Sequence, residues 1–172
     1  MKPNVPGTPE ALVARFVYGD HIDTDRIIPG KYTKTLDLSS LATHVMEDLD
    51  PAFSGSVRPG DLLVAGDNFG CGSSREQAPL AIKQAGVSWV IARYFARIFF
   101  RNAINIGLPV LEVPEHDILQ GDLLELDVLG GQVRNLTQGK TYSCNRLPPA
   151  MLQIMAEGGM VPYLLKYGDY QI

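Results

Sequence analysis

Between residues 61 and 113 short apolar runs alternate with amphipathic ones, and this order constrains the fold more than any other feature of the chain. Residues 61–65 read as a buried strand, residues 74–85 as a helix with Ala78, Ala81, Ile82 and Ala85 on one stripe, and residues 87–92 as a second strand. A helix over about 94–105 and a strand over 109–113 complete the series. Such alternation predicts parallel strands joined by crossover helices. Residues 12–18 read as an earlier strand. Residues 123–129 and 132–136 flank Gly130-Gly131 and predict a hairpin, and residues 148–157 predict a closing helix ended by Gly158-Gly159. Residues 38–49 are patterned as an amphipathic helix, residues 1–9 as a loose lead-in, and residues 51–59 as a mobile loop rich in glycine, serine and proline. At 172 residues the chain suits one domain over 1–172, large enough to bury a core without disulfides or metal.

The connection between the strand at 61–65 and the next helix is Gly66-Asp67-Asn68-Phe69-Gly70-Cys71-Gly72-Ser73-Ser74-Arg75-Glu76. Its glycines allow positive φ and let the backbone come close to a ligand. Ser73 with Glu76 three positions on reads as a capping box, which puts free N–H groups and the positive end of a helix at the turn. Arg75 adds a planar fork suited to a carboxylate, so an acidic small molecule is the natural guest. The plainer reading is that Ser73 only caps, Ser74 is solvated and Arg75 forms a surface pair. A second connection, residues 19–32, packs Asp20, Asp23 and Asp25 into six positions. These acids read either as side-chain-to-backbone turns or as part of a site, and their spacing lacks the glycine and terminal glutamate of an EF-hand. Arg93, Arg97 and Arg101 recur every four residues, as a solvated face, an interface or an anion wall.

Composition removes several classes of function. The net charge is −4 and no basic block occurs, so no nucleic-acid partner is expected. The longest apolar stretch, residues 87–100, is interrupted by Arg93 and Arg97, so no membrane partner is expected either. With no secretory signal pattern, a cytoplasmic location is expected. Cys71 and Cys144 are the two cysteines, and they form no metal or cluster motif with His21, His44 and His116. A dinucleotide site is disfavoured because Arg75 stands where helix–strand packing needs a small residue, and the next strand ends in Arg93 instead of an acid. No lysine with Ser or Thr follows the loop, which excludes a P-loop. Two readings remain: a non-catalytic subunit that senses a dicarboxylate, and one half of an active site whose serine removes a proton from carbon while a partner supplies the Lewis acid.

Asp23-Thr24-Asp25-Arg26-Ile27-Ile28-Pro29, together with the run 66–76, closely resembles the small subunits of 3-isopropylmalate dehydratase, the stand-alone counterparts of the swivelling fourth domain of aconitase. Residues 92–109 resemble a structural stretch of the same family, and the likeness extends from about Phe16 to the C-terminal helix. The resemblance implies an α/β fold of the aconitase domain-4 type, a mostly parallel central sheet with flanking helices plus a β-hairpin. It implies a hydro-lyase of leucine biosynthesis that interconverts 2-isopropylmalate and 3-isopropylmalate by loss and re-addition of water. It also implies a large-subunit partner that carries a 4Fe-4S cluster, none being bound by this chain. By the same resemblance Ser73 is the base acting on the carbon-bound proton, Arg75 grips a substrate carboxylate, and Ser74 and Gly72 help bind and orient substrate. Asp25 lies at the site in a network with an arginine or a histidine. The loop Tyr32-Thr33-Lys34-Thr35 is where relatives contact the group that distinguishes substrates. Lys34 there suits an additional carboxylate, as in homoaconitase, or else points to solvent. Homoaconitase and dimethylmalate-type dehydratases are therefore the alternative activities.

Overall fold

The computed structural model describes residues 11–169, so the lead-in expected over 1–9 lies outside the described residues. The strands are β1 (Ala11–Val17), β2 (Asp61–Val64), β3 (Trp89–Ala92), β4 (Val110–Glu112), β5 (Leu123–Asp127), β6 (Gln132–Asn135) and β7 (Lys140–Ser143). Among the described residues these form one seven-stranded sheet in the order β4-β3-β2-β1-β5-β6-β7. β1 to β4 pair in parallel, while β5 joins β1 antiparallel and is followed by β6 and β7 in antiparallel register. The expected parallel core with a hairpin is therefore present, and the antiparallel side has one more strand than the hairpin. β7 escapes a sequence reading because Lys140 to Ser143 contributes a single buried side chain, Tyr142.

The central strands form because their side chains are apolar on both faces. Leu62, Leu63 and Val64 in β2 and Val90 and Ile91 in β3 have no exposed surface. Each such side chain contributes at most about 1.5–3 kcal/mol of transfer free energy. In β1 burial alternates, with Leu12, Ala14 and Phe16 facing the core.

The helices are α1 (Thr24–Ile27), α2 (Leu38–His44), α3 (Phe53–Ser56), α4 (Gln77–Ala85), α5 (Arg97–Ile106), α6 (Pro149–Glu157) and α7 (Met160–Tyr167). α2 packs on α4, α4 on α5, and α5 on both α6 and α7. α6 ends at Gly158 in the left-handed conformation, as the Gly158-Gly159 pair predicts. α7 was not expected. Of the loop expected over 51–59, residues Phe53–Ser56 form one helical turn, because Phe53 is fully buried with its ring 4.5 Å from that of Phe16. α2 stops at His44, short of the expected position 49, and Met46 takes a φ of +61° just beyond it.

Candidate active site

The glycine-rich connection and the aspartate-rich connection leave the carboxyl ends of the parallel neighbours β1 and β2, where ligand sites of open parallel sheets collect. They run side by side through a parallel bridge between Asp23 and Cys71. The Thr24 N–H donates to the Cys71 carbonyl at 2.8 Å, and the Gly70 N–H donates to the Ile22 carbonyl at 2.8 Å. At their base Asp20 accepts the Asp67 N–H at 2.7 Å. His21 and Asn68 both hold positive φ and meet at 3.3 Å. Two non-glycine residues in that region are backbone strain gathered at one spot.

A second bridge ties Phe69 to Phe95 in the segment that leads from β3 into α5. The Phe69 ring stands edge-on to Phe95 at 5.9 Å and to Phe99 at 5.2 Å. Gly70 fits against this cluster because it is glycine: its φ is +81°, and a Cβ there would lie 2.2 Å from Phe99 Cγ. Beyond Gly70 the chain rises to the surface, and Gly72 (φ +93°), Ser73 and Ser74 are exposed.

The capping box is not formed. α4 begins at Gln77, its N-cap Glu76 is already in helical conformation, and no side chain caps the end. The reason is Pro79, which is tolerated in the first turn of a helix but would break one started at Ser74. Ser73 therefore keeps its side chain for other uses. Among the described residues neither the Ser73 nor the Ser74 hydroxyl has a hydrogen-bond partner, and the N–H groups of Gly72, Ser73 and Ser74 donate to no protein acceptor. The Ser73 carbonyl instead is held from two sides, by the Arg75 N–H at 2.8 Å and by the Thr24 hydroxyl at 3.1 Å. Thr24, 2% exposed, holds that carbonyl and was passed over by the sequence reading; its place between Asp23 and Asp25 was the available signal.

The three aspartates separate into two kinds. Asp20 and Asp23 accept backbone N–H groups, Asp20 across to Asp67 in the other connection and Asp23 in the turn that the plainer reading expected, capping α1 by accepting the Arg26 N–H at 2.9 Å. Asp25 forms an ion pair with Arg75 through Nη1, which also points at the Ile28 carbonyl at 3.5 Å. Nε and Nη2 of Arg75 have no hydrogen-bond partner among the described residues, so one donor edge of the guanidinium is free. Gly30 backs this group, since a Cβ at that position would stand 3.2 Å from Nη2.

Cys71 is half-buried, and burial together with the Asp23 carboxylate pushes its thiol up, away from thiolate chemistry. Cys144 is buried at the end of β7. Among the described residues no group of three or more His, Cys, Asp or Glu side chains converges on a metal position, so the side chains present do not fit an iron–sulfur cluster. No helix of the described residues is long and apolar enough to cross a membrane. Lys34 is exposed in the loop after a 3₁₀ turn at Gly30–Tyr32, with no ion pair among the described residues. Ser73, Ser74, Gly72, Arg75 and Asp25 thus come together, and Lys34 lies in the loop that follows Gly30. Of the three arginines, Arg97 and Arg101 sit on the exposed face of α5, whereas Arg93 precedes the helix and donates to the His116 carbonyl at 3.0 Å.

Comparison with known proteins bears on the family and the fold. The family model described as Aconitase C-terminal domain matches residues 18–116. The 3-isopropylmalate dehydratase small subunit of Thermodesulfovibrio yellowstonii is 54% identical over 151 residues, 87% of this chain and 90% of the relative. The methanogen homoaconitase small subunit of Methanothermobacter thermautotrophicus is 54% identical over 152 residues, 88% of this chain and 89% of the relative. A crystal structure of 3-isopropylmalate dehydratase from Methanocaldococcus jannaschii superposes with a TM-score of 0.85 at 44% identity, covering 92% of this chain and 96% of that one.

Proposed function

The chain belongs to the aconitase C-terminal domain family, and on that premise we propose that it is the small subunit of a 3-isopropylmalate dehydratase, a hydro-lyase of leucine biosynthesis that works with a large subunit. It acts as one domain, in the cytoplasm, and the 4Fe-4S cluster belongs to the large subunit. The observation that carries this reading is the apex at 72–75, where unpartnered hydroxyls and N–H groups stand beside the free donor edge of Arg75.

Each group has a part in the chemistry. The free edge of Arg75 takes a substrate carboxylate by two parallel N–H bonds, and Asp25 fixes the angle of the guanidinium. Ser73 removes the proton from the carbon next to a carboxylate and returns it in the reverse sense, while the hydroxyl on the adjacent carbon would leave as hydroxide, for which the large subunit's cluster would supply the Lewis acid. Its hydroxyl has no competing protein bond, and the neighbouring cation and N–H groups stabilise the alkoxide. As that proton leaves, negative charge builds on the carboxylate, and the N–H groups of Gly72 and Ser74 with Arg75 stabilise it without reorganising. The Ser74 hydroxyl orients the substrate.

A homoaconitase-type activity is the second reading, favoured by the exposed cation of Lys34 and by a homoaconitase relative at the same identity as a dehydratase relative. The test is reconstitution with a cluster-loaded large subunit. Isopropylmalate turnover is expected from the pair and from neither chain alone, and Ser73→Ala is expected to lower kcat by at least about 10³-fold with assembly intact. Turnover by the isolated chain, or near-normal turnover of the variant, would overturn the assignment.

A further inference from the structure

We infer that the outer face of α5, with the groove between α5 and α6, is the surface on which the large subunit docks, through an apolar segment flanked by carboxylates. This rests on the reading of the chain as a small subunit.

The groove encloses about 530 Å³ and is lined chiefly by Phe95, Phe100, Ile104, Met151 and Ile154, with Arg97 and Arg101 on its rim. Beside it Tyr94 and Ile98 are 50% and 52% exposed, large side chains left in water next to two cations. Among the described residues no carboxylate pairs with Arg97 or Arg101. Glu112, the acid that also lines the groove, is half-buried, and burial pushes its carboxyl up; among the described residues it forms no ion pair with either arginine. An unpaired basic rim on a chain of net charge −4 therefore calls for acidic groups from outside.

Position identifies the occupant. Phe95 is a wall of the groove and also the partner of Phe69 in the glycine-rich connection, and the Phe69 N–H donates to the Tyr94 carbonyl at 3.1 Å while the Ala96 N–H donates to the Phe69 carbonyl at 2.9 Å. The base of the apex and the wall of the groove are thus joined through one internal contact, and a subunit that closes over the apex at 72–75 is placed to reach this face. A second copy of the chain fits poorly, because a two-fold contact here would bring two copies of the same cationic rim into one interface. Buried aromatic and arginine anchors of this kind dominate binding energy.

The test uses the reconstituted pair, with the dissociation constant read by sedimentation or calorimetry. The double variant Arg97→Glu, Arg101→Glu is expected to raise Kd by about 30-fold or more, with kcat at saturating large subunit within about threefold of the parent. Binding by the parent is expected to weaken with added salt. Ile98→Asp serves as an independent variant, expected to raise Kd at unchanged melting temperature, so a misfolded double variant does not end the experiment. Unchanged Kd in both variants would overturn the inference, as would a loss of self-association by the chain alone in place of the loss of large-subunit binding. Failure of the parent pair to bind and turn over would instead overturn the small-subunit reading, which separates the two.

Discussion

The Asp25 carboxylate and the Arg75 guanidinium are fifty positions apart in the chain and form an ion pair across two neighbouring loops. Asp25 is 65% exposed on its side chain and Arg75 27%, so the pair orients more than it stabilises. Asp25→Asn is expected to cost less than about 1 kcal/mol of stability while raising the substrate KM about tenfold, because the guanidinium loses its orienting partner. Arg75→Lys is expected to raise KM further, since a point charge cannot reproduce the two parallel bonds. Denaturant unfolding beside steady-state kinetics checks both; a large loss of stability at unchanged KM would assign the pair to folding alone.

The exposed side chain of Lys34 allows a test of specificity. In the reconstituted pair, Lys34→Val is expected to lower kcat/KM for homoaconitate relative to isopropylmalate by about tenfold, because a cation in a substrate loop favours an additional carboxylate. A substrate panel measures the ratio, and an unchanged ratio would mean that Lys34 faces only water.

Gly70 sets the height of the apex. Gly70→Ala must hold a positive φ and displace the Phe99 ring, so a destabilisation of about 3 kcal/mol or more is expected. Removing Phe99 Cγ and Cδ2, as in Phe99→Ala, is expected to relieve part of that clash in the double variant. Melting or denaturant curves of the three proteins decide the matter.

His116 gives a pH signature. It is buried, its Nε2–H donates to the Ala65 carbonyl at 2.9 Å, and Nδ1 accepts the Ile118 N–H at 3.4 Å, a pattern that needs the neutral ring. Burial lowers its pKa below the ordinary value of 6.5; the nearby Arg93 adds to this, while the Ala65 carbonyl, Asp117 and Asp67 oppose it. The unfolded chain then takes up the proton first as pH falls. The stability His116 contributes is therefore present above about pH 6.5 and lost as pH falls from there toward the folded-state value. Unfolding midpoints between pH 5 and 8 are expected to fall more steeply at the acid end for the parent than for His116→Asn. Equal slopes would assign the acid sensitivity to other groups.

The amino-acid sequence by itself determined the order of elements from β2 to β4, the two chemistry-bearing connections and the family, because strand burial, helical stripes and glycine turns are written in short-range patterns. Local signals failed where a distant contact outweighed them: Phe53 was drawn into the core by Phe16, and α7 found its place against α5 and α6. The start of α4 was legible in Pro79, and the capping pattern of Ser73 and Glu76 obscured it. Only the tertiary structure decided that Asp25 meets Arg75 and that Thr24 holds the Ser73 carbonyl. Those contacts exist because β1 and β2 lie side by side in parallel and release their loops at the same edge, a relation between segments that no single stretch of residues encodes.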